Sequence, residues 1–156
     1  MIIKIIAVGK IKDRYFKDAI QEYEKRLAPF CSLSIIEIPA EQIFDEALRD
    51  KYKDIEANKI LSLIKSDSFI ITLEINGKLF SSEQFARKIK HLSNEGYHDI
   101  TFIVGGANGL SEKISEISNL KLSFSPLTFT HQMIRPMLLE QLYRTFKILS
   151  NEPYHR

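Results

Sequence analysis

Ile100-Thr101-Phe102-Ile103-Val104-Gly105-Gly106-Ala107-Asn108-Gly109-Leu110 runs from a nearly continuous apolar, β-branched segment straight into a cluster of glycines. A short run without polar alternation is what a strand covered on both faces requires. The glycines that end it mark a backbone turn, here leading into a helix, where main-chain amides can approach a ligand closely. As pattern alone the turn is equally a plain strand-to-helix connection. It is not a dinucleotide fingerprint, which needs G-x-G-x-x-G in an early strand-turn-helix followed by an acidic residue; here the spacing is G-G-x-x-G, late in the chain. It also lacks the lysine of a phosphate-binding P-loop.

Four more runs have the same character: Ile2 to Val8, Leu33 to Ile38, Phe69 to Ile75 and Leu120 to Phe124. Between them apolar residues recur at helical spacing, as in Tyr15, Ala19, Tyr23 and Leu27; in Phe44, Ala47 and Leu48 with Ile60, Leu61 and Ile64; and in Phe85, Ile89 and Leu92. Alternating strands and helices predict an α/β fold with a parallel sheet flanked by helices. A ligand then belongs at the carboxyl ends of the strands. Asn76-Gly77 reads as a tight turn after the third strand, and Ser81 with Gln84 reads as a capping box opening the next helix. Met133, Met137, Leu138, Leu142, Phe146 and Leu149 predict a last helix from about His131 to Leu149, with a face wide enough for a core or a dimer partner. Pro136 must then either occupy its first turn or kink it.

The 156 residues, 44% hydrophobic and 27% charged, suit one soluble domain spanning the whole chain, 1–156, with no linker or repeat. Cys31 is the single cysteine, which excludes an internal disulfide and fits a reducing cytoplasm. The opening apolar run is interrupted by Lys4 and is too short to span a membrane or form a signal-peptide core. Four histidines and one cysteine, without H-x-x-x-H or C-x-x-C spacing, give no expectation of a metal, and the absence of G-x-S-x-G gives none of a serine hydrolase. A net charge of +2 provides no strong global field, so any nucleic-acid binding must rest on a local patch.

Two further segments are candidates for chemistry. The loop Phe124-Ser125-Pro126-Leu127-Thr128-Phe129-Thr130 mixes hydroxyls with apolar groups, which suits a ligand that is part nucleobase and part polar chain, or a plain loop. The closing Asn151-Glu152-Pro153-Tyr154-His155-Arg156 is either a frayed tail or a cover over a site, with Tyr154 stacking, His155 exchanging a proton and Arg156 meeting phosphate. Arg135, Arg144 and Lys147 add positive charge upstream, and His131 stands where the last helix should start.

Taken together, Leu73-Glu74-Ile75-Asn76-Gly77-Lys78, Val104-Gly105-Gly106 with Gly109-Leu110, Leu122-Ser123-Phe124-Ser125, and His131-Gln132, Arg135, Leu139-Glu140-Gln141-Leu142-Tyr143-Arg144 and Pro153-Tyr154-His155-Arg156 resemble the RlmH family, in order and spacing, from Met1 to Arg156. The resemblance implies a SPOUT fold, a parallel sheet whose C-terminal part is threaded into a trefoil knot, working as a homodimer. It implies an S-adenosyl-L-methionine site lined by Leu73, Gly105 and the loop Phe124, Ser125, Pro126, Leu127, Thr128 and Phe129. It implies methylation of N3 of a pseudouridine in helix 69 of 23S ribosomal RNA, on assembled ribosomes, with no membrane or DNA partner. Pro126-Leu127 departs from the lysine and methionine frequent in that loop, and Pro136 from an ordinary apolar residue. For the chemistry, His155 is expected as proton acceptor or orienter, Tyr154 as stacking partner and Arg144 as support for a developing anion. Arg135, Arg156 and His131 are expected on the RNA. The competing expectations are a non-catalytic ribosome-binding or assembly factor that keeps the fold, and a small nucleotide-binding domain that uses the glycine turn.

Overall fold

The computed structural model describes residues 1–154. Five strands form one sheet: β1 (Ile2–Val8), β2 (Ser32–Ile38), β3 (Phe69–Leu79), β4 (Asp99–Val104) and β5 (Leu120–Ser123). The spatial order is β2-β1-β4-β3-β5, and every neighbouring pair is parallel. The connecting helices are α1 (Arg14–Leu27), α2 (Arg49–Leu61), α3 (Ser82–Asn94), the single-turn α4 (Glu112–Glu116) and α5 (Ile134–Leu149), with one 3-10 turn at Glu46–Leu48.

Alternation along the strands divides the core between the two faces. Ile3, Ile5 and Ala7 of β1 join Phe102 and Val104 of β4 beneath Leu27 of α1, Phe85 and Ile89 of α3, and Leu138, Leu139 and Leu142 of α5. Ile6 and Val8 point the other way, with Ile70 and Ile103, onto Ala57 and Ile60 of α2 and Ile114 of α4. The middle strands are therefore apolar on both faces, which is why their sequence shows no polar alternation. α3 starts where expected, because Ser81 Oγ accepts the amide of Gln84 while the Gln84 side chain accepts the amide of Ser81.

Three elements differ from the sequence expectation. Asn76 and Gly77 do not close a tight turn: β3 continues to Leu79, and both Leu73 and Lys78 pair with Leu122, so residues 74–77 bow out of the ladder. A Cβ on Gly77 would lie 2.7 Å from the main-chain carbon of Leu122, so glycine serves a close backbone approach there. The last helix begins at Ile134, with His131, Gln132 and Met133 in the turn before it. Pro136 is its third residue, where the missing N–H has no intrahelical acceptor to lose. Phe44 precedes the 3-10 turn and is 83% exposed, so it contributes nothing to the face of α2.

Candidate functional site

Because the strands are parallel and Ala7, Val104, Leu73 and Leu122 are linked in register across β1, β4, β3 and β5, their carboxyl ends lie at one edge of the sheet. Residues 74–77, 105–110 and 124–132 all leave that edge and enclose a cavity of about 790 Å³. The glycine turn forms one wall. Gly109, at φ +73°, donates its amide to Gly106 O at 3.1 Å, folding the turn back on itself. The turn is packed tightly: a Cβ on Gly105 would stand 2.9 Å from the carbonyl carbon of Gly109, and one on Gly106 would stand 3.0 Å from Val8 Cγ1.

The loop after β5 forms the opposite wall. Ser123 Oγ donates to Ile75 O at 2.9 Å and to Ser125 O at 3.2 Å, while Ser125 Oγ accepts the amide of Leu127 at 2.9 Å. The hydroxyls therefore shape the loop as well as face the cavity. Leu73, Gly105, Phe124, Ser125, Leu127, Thr128 and Phe129 all line it. Pro126, exposed, belongs to the same loop but stays off the wall.

Two further polar residues share the cavity wall with no role expected from the sequence, Glu74 and Gln132, together with Thr130 at the end of the candidate loop. Glu74 lies in the bowed stretch, its two carboxylate oxygens accepting from Thr72 Oγ1 at 2.7 Å and Ser115 Oγ at 3.0 Å. Gln132 Oε1 accepts the amides of Lys12 at 2.7 Å and Asp13 at 3.3 Å, and Gln132 Nε2 donates to Asp13 Oδ2. Thr130 Oγ1 accepts the amide of Met133, fixing the entry to α5. Glu74 could have been suspected as the carboxylate nearest the Asn-Gly pair; nothing local in the sequence links Gln132 to residues 12 and 13.

His131, expected on the RNA, is placed in the cavity wall with its ring against Gly9. Burial, then the neighbouring Arg135 and Lys12 charges, hold its imidazole below its ordinary pKa, so it is neutral near pH 7. Arg135 does not fit the expected phosphate contact. It is 1% exposed, with Nη1 donating to Glu37 Oε1 at 2.7 Å and Nη2 to the carbonyls of Val8 at 2.8 Å and Gly9 at 2.7 Å. Burial works against its charge and Glu37 sustains it. Its Nε has no acceptor among the described residues.

Arg144 and Tyr154 lie elsewhere, on the side of α5 that faces α1. Arg144 grips Glu140 Oε1 through Nε at 3.0 Å and Nη2 at 2.6 Å, and its guanidinium lies 5.1 Å from the Tyr154 ring centre. Tyr154 meets Tyr143 edge-on at 4.8 Å. The Tyr23 hydroxyl is pushed up to about 12, chiefly by burial and then by Tyr154. Neither Arg144 nor Tyr154 lines the cavity. His155 and Arg156 lie outside the described residues.

Among the described residues, no three His, Cys, Asp or Glu converge as a metal site, and no helix is long and apolar enough to cross a membrane. A parallel sheet with a glycine turn and a part-polar cavity at its carboxyl edge is the arrangement in which open α/β proteins hold small organic ligands. The comparisons with known proteins narrow this. Residues 1–155 match the family described as "Predicted SPOUT methyltransferase". A protein of Methanococcus maripaludis, provisionally named ribosomal RNA large subunit methyltransferase H, is 52% identical over 100% of both chains. A protein of Methanococcus vannielii with the same provisional name is 48% identical, again over 100% of both. The solved structure of a probable methylase family protein from Haemophilus influenzae Rd KW20 superposes with a TM-score of 0.55 at 15% identity, over 99% of this chain and 70% of that one, a likeness of fold. The chain belongs to the SPOUT methyltransferase family.

Proposed function

We propose that this protein is a methyltransferase that uses S-adenosyl-L-methionine to methylate N3 of a pseudouridine in helix 69 of 23S ribosomal RNA, on assembled ribosomes, as a cytoplasmic homodimer. The names of the two full-length relatives support the RNA class. The observation that carries the reading is the cavity at the carboxyl edge, walled by the glycine turn and residues 124–132. Its size and lining fit the cofactor: Leu73, Phe124 and Phe129 offer apolar surface to an adenine, while Glu74, Ser125 and Thr128 offer polar groups to a ribose and an amino-acid chain. In this reading the chain is one domain, and the segment from β5 through residues 124–130 into α5 is the part threaded through a trefoil knot.

When bound, S-adenosylmethionine supplies a methyl group carried on a sulfonium. The protein must hold the target nitrogen in line with that methyl and keep water away. The imide nitrogen carries a proton at neutral pH, so a group must take or share it, and donors must stabilise the charge left on the ring oxygens. His131, neutral in the cavity wall, and His155 of the tail are the two imidazoles suited to the first task. Arg144 supports the developing anion, Tyr154 stacks on the base, and Arg156 meets phosphate. Arg144 and Tyr154 stand off the cavity wall of their own chain, which favours a site completed by a second subunit.

Tritium transfer from labelled S-adenosylmethionine to ribosomes from a strain lacking this protein, followed by mapping of the modified nucleoside, tests the proposal. Label at N3 of one pseudouridine is the expected result. No label on competent ribosomes, despite cofactor binding, overturns it in favour of a ribosome-binding factor.

A further inference from the structure

The cation expected on phosphate, Arg135, is buried, yet it holds a segment whose own cations are exposed. Between residues 9 and 18 the chain carries Lys10, Lys12, Arg14 and Lys17 against Asp13 and Asp18, an excess equal to the net +2 of all 156 residues. Lys10, Lys12, Arg14 and Lys17 are all exposed. Asp13 is turned inward onto Gln132 Nε2 at 3.2 Å, and Asp18 pairs with Arg14 at 3.7 Å with both side chains in water. Such an exposed pair is worth little, so the positive potential is hardly neutralised.

The segment is also fixed. Arg135 holds the carbonyls of Val8 and Gly9, Glu37 accepts the amide of Ile11 at 3.0 Å, and Gln132 accepts those of Lys12 and Asp13. Ile11 is buried beneath it. Through Gln132 and His131 the segment is continuous with the cavity wall. Tyr15, 65% exposed, has its ring 4.4 Å from that of Phe16, which presents an aromatic surface among the cations. Fixed cations with an exposed aromatic ring suit a phosphate backbone with an unstacked base, more than an acidic protein surface.

We infer that residues 10–17 form the face through which the protein grips the RNA backbone beside its cavity, with Lys10, Lys12 and Lys17 on phosphates and Tyr15 against a base. The inference rests on the proposed rRNA substrate.

The test is the triple variant Lys10→Ala, Lys12→Ala, Lys17→Ala, sedimented with ribosomes from a strain lacking this protein across a salt series. Losing three phosphate contacts should weaken binding at least about tenfold at low salt and reduce the slope of log affinity against log salt by about two. S-adenosylmethionine affinity and the melting temperature should stay at wild-type values, and the corresponding triple arginine variant should restore binding. Wild-type affinity and salt slope in the alanine variant overturn the inference while leaving the proposed function intact. Wild-type protein that neither binds nor methylates ribosomes overturns both. A photoreactive maleimide on Lys12→Cys separates RNA from protein partners, since the native Cys31 is buried and its thiol is pushed up to about 11. Crosslinks to ribosomal RNA support the inference, and crosslinks confined to ribosomal proteins overturn it.

Discussion

Gly105 and His131 show how single residues set the cavity. A methyl group on Gly105 has main chain on the far side, at 2.9 Å from Gly109 and 3.1 Å from Leu110, so the turn must open to admit it. Gly105→Ala should therefore cost roughly 1–3 kcal/mol of stability and weaken cofactor binding at least about tenfold, read by urea unfolding and calorimetric titration. His131 predicts a pH dependence. Its folded-state pKa lies below the ordinary 6.5, so the unfolded chain binds the proton more readily. The stability it contributes is complete above pH 6.5 and declines as the pH falls through the depressed folded value. His131→Gln should flatten that part of the curve, and a melting-temperature profile identical to wild type between about pH 7 and 5 would contradict it. The glycine turn and the loop after β5 were legible because each is a contiguous stretch with a local signature. Glu74 and Gln132 were not, since they reach the wall only through the bow in β3 and a bond spanning the chain from residue 132 to residue 12.

At the scale of elements, the strands were legible from unbroken apolar runs, and α3 from its capping box. What failed was a strong local signal overruled by packing: Asn76-Gly77 would end β3 in a tight turn, yet the strand resumes its pairing with β5 at Lys78, and the pair sits in a bow with Gly77 packed against the β5 main chain. The apolar spacing predicts a start for α5 three residues before the observed one, because Met133 continues that spacing, whereas Thr130 and Gln132 commit the stretch to a turn. The same boundary gives two predictions. Pro136→Ala should change stability by less than about 1 kcal/mol, whereas an interior proline would cost about 3 kcal/mol, because the first turn needs no amide there. Arg135→Leu removes the clamp on two buried carbonyls and on Glu37, which is still a third exposed. It should cost about 2–4 kcal/mol, less than a fully buried pair would, and speed amide exchange at residues 9–13. Unchanged exchange in that segment would show that the clamp does not hold it.

For the whole molecule, the sheet order β2-β1-β4-β3-β5 brings the ends of β3, β4 and β5 to one cavity, while Arg144 stands off that cavity wall, on the α1-facing side of α5 beside Tyr154. The class of sheet was legible from alternation, but its order was not, because no local pattern records that β4 inserts between β1 and β3. The separation between cavity and Arg144 bears directly on the homodimer proposal. In a two-fold dimer, each site would take its cavity from one chain and its arginine and tail from the other. At cofactor concentrations well below saturation, a chain impaired in the cavity by Gly105→Ala and a chain impaired by Arg144→Ala with Tyr154→Ala would then each be nearly inactive alone. Mixed by co-expression, half of the dimers would be heterodimers with one intact site of two, and methyl transfer should recover to about a quarter of wild type. No recovery from verified heterodimers would mean that Arg144 and Tyr154 serve the cavity of their own chain, which would require the Tyr143 and Glu140 contacts that now hold them to break during turnover.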